Sequence, residues 1–368
     1  MRSKVYFAAA SVKEKQGILE RIEHAINLEF SSIIEKGEIV AIKVHLGEAG
    51  NTRYIRPIFL RKVVEFVKSK GGRPFVTDTT TLYRYKRANL FDYLETARSN
   101  GFTPETLGCP IIIADGFKNT GVEVEIQNPL RLSKVKVAQS IYEADCMISI
   151  SHTTFHPFVT PASSIKNIGM GCVTKETKLR MHTTNARPLY KSEKCIRCGI
   201  CIKVCLGNAF KKVDEEIKFS PSKCIGCGFC IAECPGSALQ VSWDEVSTID
   251  VQKGVIDSFR GVSQTFKKNR LGFINLSLDV TLLCDCVRRS DIPVIPDLGA
   301  FISRDALAVD KANYDLINKQ VGYPDGKLWN KTWEDVGEFL TPGIGVLRFF
   351  QMGHGAGIGS IDYELIEI

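Results

Sequence analysis

No stretch of the chain approaches the roughly 18 consecutive apolar residues of a membrane span, so no membrane is expected as a partner. There is no dense block of lysine or arginine either. Forty-eight basic residues against 41 acidic ones leave +7, spread along the chain, which is too weak to argue for nucleic acid. Such a surplus would suit an acidic partner, but it reads first as solvated surface. Low-complexity tracts and solenoid repeats are missing. Histidine is scarce, at six in 368 residues. An export signal is also lacking. The apolar run Val5 to Ala10 follows Arg2 and Lys4, but Lys13, Glu14 and Lys15 end it too soon. A first β-strand in a reducing, cytoplasmic setting is expected there, and disulfides are not.

Cysteine, in contrast, is plentiful. Eight of the thirteen fall between Lys194 and Ser237 in two runs of identical spacing, C-x2-C-x2-C-x3-C. The first is Cys195, Cys198, Cys201 and Cys205; the second is Cys224, Cys227, Cys230 and Cys234. This is the spacing of bacterial two-cluster ferredoxins. Three sulfurs placed every third residue in a tight loop can each reach a different iron of one cubane. The fourth has turned away with the chain and reaches the neighbouring cluster. The expected cofactors are therefore two 4Fe–4S clusters. One falls to Cys195, Cys198, Cys201 and Cys234, the other to Cys224, Cys227, Cys230 and Cys205. Gly199, Gly226 and Gly228 let backbone wrap closely around an inorganic core, and Pro235 stops a helix after the last ligand. The first run has Leu206 in the place of that proline. Zinc sites would use paired C-x-x-C units instead of triplets. The stretch K-C-I-R-C-G-I-C-I at 194–202 recurs as K-C-I-G-C-G-F-C-I at 223–231, a period of 29.

Forty-four per cent of the residues are hydrophobic, enough for a large core and about two domains. Strands are expected at 5–10, 38–46, 73–77, 110–114, 122–126, 134–138, 146–151, 271–283, 292–295 and 363–366. Helices are expected at 13–34, 56–69, 91–99, 139–144, 251–268, 304–319, 333–340 and 345–352. This alternation with short connections gives an α/β fold class, mostly parallel sheets covered by helices, with an inserted α+β ferredoxin module. Residues 1–190 and 240–368 are read as one α/β body of one lobe or two, and 191–239 as the module. Two separate flanking domains are the alternative.

Open parallel sheets bind ligands beyond the carboxyl ends of their strands. Those ends carry groups that a core does not need. Lys43 and His45 close one strand, ahead of Gly47 to Asn51. Asp78 closes the next, before three threonines. Ser151 and His152 follow, with His156 just beyond; then Cys284 and Cys286 flank Asp285, and Asp297 ends the strand at 292–295. Each has a plain structural reading beside the functional one. His45 would order a turn, Asp78 would cap a helix, and the Cys284/Cys286 pair would be two small buried thiols. Functionally, that pair would bind a soft metal or form a redox couple. Cys109 and Cys146 read as inert core thiols, and Cys172 ends a tight turn from Gly169 with no assigned role. The segment 152–182 gathers His152, His156, Lys166, Asn167, Lys175, Lys178 and His182. Such a set binds a carboxylate or phosphate and moves a proton, unless it is a solvated surface helix. The glycine-rich stretch 353–359 lacks the strand-then-helix setting of a dinucleotide loop and reads as a terminal loop.

Several motifs together resemble a known family. They are I-K-V-H-L-G-E-A-G-N (42–51), S-H-T-T-F-H (151–156) with S-I-K-N-I-G-M-G-C (164–172) and His182, C-D-C (284–286), and D-I-P-V-I-P-D-L-G-A-F-I-S-R-D-A-L-A-V-D-K-A (291–312). The chain is similar over nearly its whole length to the domain-of-unknown-function 362 proteins that carry iron–sulfur clusters. More distantly it resembles lactate racemase and its relatives. That second resemblance makes His152, Lys166 and His182 counterparts of residues that hold a nickel-pincer cofactor and shuttle protons. Those relatives lack the clusters, and this chain has the C-D-C element besides.

The expected function is single-electron transfer from two clusters to a substrate or cofactor at the strand ends, as an iron–sulfur oxidoreductase. The candidate pocket residues are Lys43, His45, Asp78, His152, Lys166, His182, Cys284, Cys286 and Asp297. A redox partner protein and a small-molecule substrate are the expected partners, and a further metal or organic cofactor is left open. A ferredoxin-like carrier or docking protein is one alternative, a metal or cluster assembly factor another. A pure carrier needs only some sixty residues, so the remaining chain favours an enzyme.

Overall fold

The computed structural model describes residues 2–368. Eight strands make one sheet. From edge to edge they run Tyr363–Glu367, Ser3–Ala9, Gly299–Ser303, Leu271–Ser277, Cys146–His152, Ile39–Lys43, Arg73–Asp78 and Ile111–Ile113. Only Gly299–Ser303 runs antiparallel to its neighbours; every other pairing is parallel. Strands from both sides of the cysteine stretch therefore share a single sheet. The fold is α/β, with a large, mostly parallel central sheet surrounded by helices.

Side-chain alternation divides the core in two. Ile42, Val76, Ile148, Ile150 and Ile274 face the helices Ile18–Phe30 and Pro57–Ser69. Ala41, Phe75, Met147 and Phe273 face Ser164–Gly171, Thr248–Ser263 and Ala306–Ile317. All seven residues of Cys146–His152 are buried, which suits a central strand covered on both faces. Helix starts follow local chemistry. The Asn89 side chain accepts from Asp92 N, and Asp305 accepts from Leu307 N and Ala308 N. Pro57 opens its helix, where the missing N–H costs nothing.

The structure departs from the sequence reading in several places. The first helix begins at Ile18, because Glu14 and Lys15 take left-handed backbone and Gly17 is the N-cap. The strand expected at 271–283 stops at Ser277, and 292–295 is no strand. Val294 and Ile295 are buried all the same, held in a loop by Val294 N donating to Val280 O. In the eight-stranded sheet, the strand missed by sequence is Gly299–Ser303; the short strands of the cysteine stretch are missed as well. Gly169 to Cys172 is the end of a helix and not a tight turn.

The cysteine stretch has its own small core, in which Phe210, Ile217, Ile231 and Leu239 pack among the sulfurs. Its ends come together where Leu189–Tyr190 pairs with Leu239–Gln240. Between them lie the short helices Ile200–Val204 and Phe229–Glu233 and the hairpin Phe210–Val213/Glu216–Phe219.

Candidate functional site

Four adjacent parallel strands, Leu271–Ser277, Cys146–His152, Ile39–Lys43 and Arg73–Asp78, all end at one edge of the sheet. Beyond their carboxyl ends lies a cavity of about 180 Å³. It is lined by Lys43, His45, Asp78, His152, Lys166, His182, Cys284 and Cys286. Eight of the nine expected pocket residues are thus in one place. Asp297 is not among them. It is exposed, and its carboxylate accepts from Asp279 N at 2.6 Å, tying down the loop that leads to Gly299–Ser303.

Several of these side chains are committed to the scaffold. The Lys43 ammonium is fully buried, 2.9 Å from Asp78 Oδ1 and 2.6 Å from Asn167 Oδ1. Asp78 also accepts from Thr79 N and the Tyr93 hydroxyl, so it does not cap a helix. Asn167 in turn donates to Ser149, Ser151 and Ile150 O, which fastens its helix across the strand ends. Gly171 lies tight against the Lys43–Asp78 ion pair: a Cβ would sit 2.5 Å from Lys43 Nζ, which Asp78 and Asn167 hold in place.

His152 is likewise spoken for. Nδ1 lies 2.7 Å from Asp285 Oδ1 and Nε2 lies 2.7 Å from Leu278 O. Both partners are acceptors, so both ring nitrogens must donate, and the ring is an imidazolium. Burial works against that charge, but the Asp285 carboxylate and the two hydrogen bonds outweigh it and lift the pKa to about 9. A ring in this state has no lone pair for a metal. The metal-holding role that the racemase resemblance implied for His152 does not fit this geometry.

The other three rings are neutral, and their tautomers follow from their partners. His45 Nδ1 accepts from Gly47 N at 3.1 Å, so its proton is on Nε2. That Nε2–H is buried and, among the described residues, has no partner. His156 Nδ1 accepts from Phe158 N at 3.2 Å, which again leaves the proton on Nε2. His182 is the reverse. Its Nδ1 donates to Lys178 O at 2.8 Å, so Nε2 keeps a free lone pair. Burial holds all three well below the usual imidazole value, with neighbouring cations adding to it. His156 is lowered to about 3 and His182 to about 4. His182 stands edge-on to Trp243 and Phe158.

Lys166 Nζ is 3.3 Å from Cys284 Sγ. The hydrogen bond from Cys286 and the Lys166 charge hold the Cys284 thiol well below its ordinary value, despite burial. Lys178 Nζ donates to Thr79 Oγ1 at 2.7 Å and Thr80 O at 2.6 Å, and burial lowers it to about 8. Among the described residues it has no carboxylate partner. Sequence reasoning missed Tyr83, Arg87 and Trp243 as cavity residues. Tyr83 and Arg87 lie in a run of tyrosines, arginines and lysine that looks like surface, yet Arg87 is buried on Glu48 at 3.0 Å. Lys175 is also buried, its ammonium over the Phe229 ring. Cys109, Cys146 and Cys172 are buried, and burial raises their thiols to about 11, 12 and 12.

The cysteine stretch repeats its local geometry. Gly199 and Gly228 take the same left-handed conformation at φ +73°, and each precedes a short helix. Ala209 N donates to Cys205 Sγ at 3.1 Å, and Ala238 N to Cys234 Sγ at 3.3 Å. Cys195, Cys198, Cys201 and Cys234 line one small cavity together with Tyr190. Buried Cys230 has Cys227, Cys224, Cys205 and Cys201 as neighbours. Among the described residues, no three His, Cys, Asp or Glu side chains converge closely enough to grip a single metal ion. Leu82 belongs both to the strand-end cavity and to the core that contains Cys230.

An α/β sheet with a half-open cavity beyond its strand ends, carrying lysine, histidine and cysteine side chains, defines the class. Residues 40–315 match the model of the family described as a domain of unknown function (DUF362), and the chain belongs to that family. No curated protein matches it. Among solved structures, it is similar to a crystal structure of a protein from Thermotoga maritima, at 10% identity and a TM-score of 0.45. That match covers 83% of this chain and 60% of the other. A more distant likeness is to the lactate racemase apoprotein from Thermoanaerobacterium thermosaccharolyticum, at 12% identity and a TM-score of 0.35, covering 76% and 51%. The chain therefore spans between half and three-fifths of the structures it matches. No described helix is long and apolar enough to cross a membrane.

Proposed function

We propose that the protein is an iron–sulfur oxidoreductase whose cysteine stretch, 191–239, is a ferredoxin-type module serving the strand-end cavity. The carrying observation is Leu82, one side chain that lines the cavity and also belongs to the small core that contains Cys230. By their spacing we assign the thiols to two 4Fe–4S clusters. Cys195, Cys198, Cys201 and Cys234 would hold one, and Cys224, Cys227, Cys230 and Cys205 the other. The left-handed turns at Gly199 and Gly228 and the N–H donors to Cys205 and Cys234 support this, since such donors favour thiolate sulfur. A bound 4Fe–4S cluster supplies one-electron transfer.

The chain's own residues bind and orient. The Nε2–H groups of His45 and His156 offer donors, His182 Nε2 offers an acceptor, and Lys178 adds a positive charge without a carboxylate partner. A small ligand bearing oxygen acceptors, anionic overall, matches that set. His152 positions Asp285, while Lys43 and Asp78 hold the floor. A cavity with a buried donor, His45 Nε2–H, that has no partner among the described residues favours an enzyme over a carrier or assembly factor.

The test is oxygen-free purification of the whole chain, with iron and sulfide analysis and electron paramagnetic resonance after reduction. About eight irons per chain and the signals of two reduced cubanes are expected. Fewer than about four irons, with no such signal, would sink the proposal.

A further inference from the structure

Cys284, Asp285 and Cys286 occupy a turn closed by Val287 N donating to Cys284 O at 2.9 Å. The two carbonyls that follow are held as well. Glu48 N donates to Asp285 O at 3.2 Å, and the Tyr83 hydroxyl donates to Cys286 O at 3.0 Å. Tyr83 is itself fixed by Arg87 at 2.6 Å. The Asp285 side chain is turned onto His152. With carbonyls and carboxylate all engaged, the groups this turn leaves for chemistry are two sulfurs, both lining the cavity. Neither is in a disulfide.

We propose that Cys284 and Cys286 form a reversible dithiol–disulfide couple that takes a low-molecular-weight disulfide as substrate, with Cys284 as the attacking sulfur. Lys166 Nζ, 3.3 Å from Cys284 Sγ, selects that sulfur. The ammonium stabilises a thiolate, and it occupies ground that a metal cation bound to the same sulfur would have to share with a like charge. The neighbouring Cys284 sulfur, and burial after it, disfavour a second charge at Cys286, which keeps its proton until the first exchange is complete.

The steps balance without another reagent. The Cys284 thiolate attacks one sulfur of R–S–S–R, forms a mixed disulfide and expels one RS⁻. Cys286 then loses its proton, attacks the Cys284 sulfur and expels the second RS⁻. The protein has lost two electrons and one proton, and the substrate has become one thiol and one thiolate. Reopening the ring needs two electrons and one proton. This part rests on the function proposed above, because the electrons are assigned to the two 4Fe–4S clusters, one from each. A ring closed over a single intervening residue is strained, and strained disulfides are the readily reduced ones.

Tryptic cleavage isolates the pair. Arg270 and Arg288 bound the peptide Leu271–Arg288, which contains Cys284, Cys286 and no other cysteine. The whole chain, purified without oxygen, is treated with 2-hydroxyethyl disulfide, quenched with iodoacetamide, digested and weighed, and iron is counted in the same sample. The expected peptide is unalkylated and lighter by two hydrogens. In Cys286→Ser the same treatment should leave a hydroxyethylthiol adduct on Cys284. Lys166→Met should slow that adduct at least about tenfold at neutral pH. A doubly alkylated wild-type peptide in protein that retains its iron overturns the couple and leaves the clusters standing. A closed ring in protein without iron upholds the couple and removes the proposed electron source.

Discussion

Replacing Asp285 by asparagine tests how the His152 charge is maintained. The asparagine keeps the shape and an oxygen for His152 Nδ1 but removes the negative charge 2.7 Å away. In the native protein His152 is raised from 6.5 to about 9 although burial opposes it. Each unit is worth about 1.36 kcal/mol, so the environment favours the charged ring by roughly 3 kcal/mol. That is in line with the ~3–5 kcal/mol lost when one partner of a buried pair is removed. The sign follows from a folded pKa above the unfolded one. This stabilisation is complete below about pH 6.5 and disappears as pH rises through about 9. In Asp285→Asn only burial and the carbonyl remain, and the ring should titrate below 6.5. With six histidines in the chain, ¹⁵N-histidine spectra are simple enough to follow each ring, and His152→Phe supplies the assignment. Wild type should keep an imidazolium signal at pH 8; the variant should not. Identical titration of His152 in both proteins would refute the argument, as would an equal stability deficit at pH 7 and pH 10.

The crosswise arrangement predicts that Cys205→Ser damages the centre of the second run and leaves about four irons with the spectrum of the other; loss of all iron, or none, counts against it. Gly171→Ala would press a methyl onto Lys43 Nζ and Cε, at 2.5 and 2.6 Å, and should cost about 1–3 kcal/mol, seen as a Tm lower by several degrees. His182 is buried and neutral, with its pKa lowered to about 4, so its unfolded form takes up a proton first as pH falls. Stability should drop by roughly 3 kcal/mol between pH 6.5 and 4, and His182→Phe should flatten that acid limb in thermal melts.

The α/β class was readable because buried parallel strands are continuous apolar runs between amphipathic helices. Cys146–His152 and Pro57–Ser69 are plain examples. Gly299–Ser303 was not, because its five residues, all buried, are too short and too mixed in composition to stand out. Val294 and Ile295 misled for the opposite reason: a loop can bury β-branched residues when its backbone finds other partners. The cavity was largely legible, since residues at strand ends converge whatever the loops do, and Lys43, His45, Asp78, His152 and Cys284 all sit there. Their roles were not. That His152 is doubly bonded while His45 keeps a free N–H depends on Leu278, Asp285 and Gly47, contacts that no spacing rule encodes. Tyr83 and Arg87 escaped notice because their burial depends on Glu48 from a different strand end.

The three neutral rings carry one further consequence. Backbone atoms dictate where each proton sits, and burial holds all three rings below the usual imidazole value, His156 at about 3 and His182 at about 4. Those three rings therefore show an incoming molecule the same donors and acceptor in mildly acidic and neutral surroundings, while the Lys178 ammonium, near 8, loses its charge in mildly alkaline ones. Any bell-shaped activity profile must take its limbs from elsewhere, and Lys178, near 8, is placed to supply the upper one.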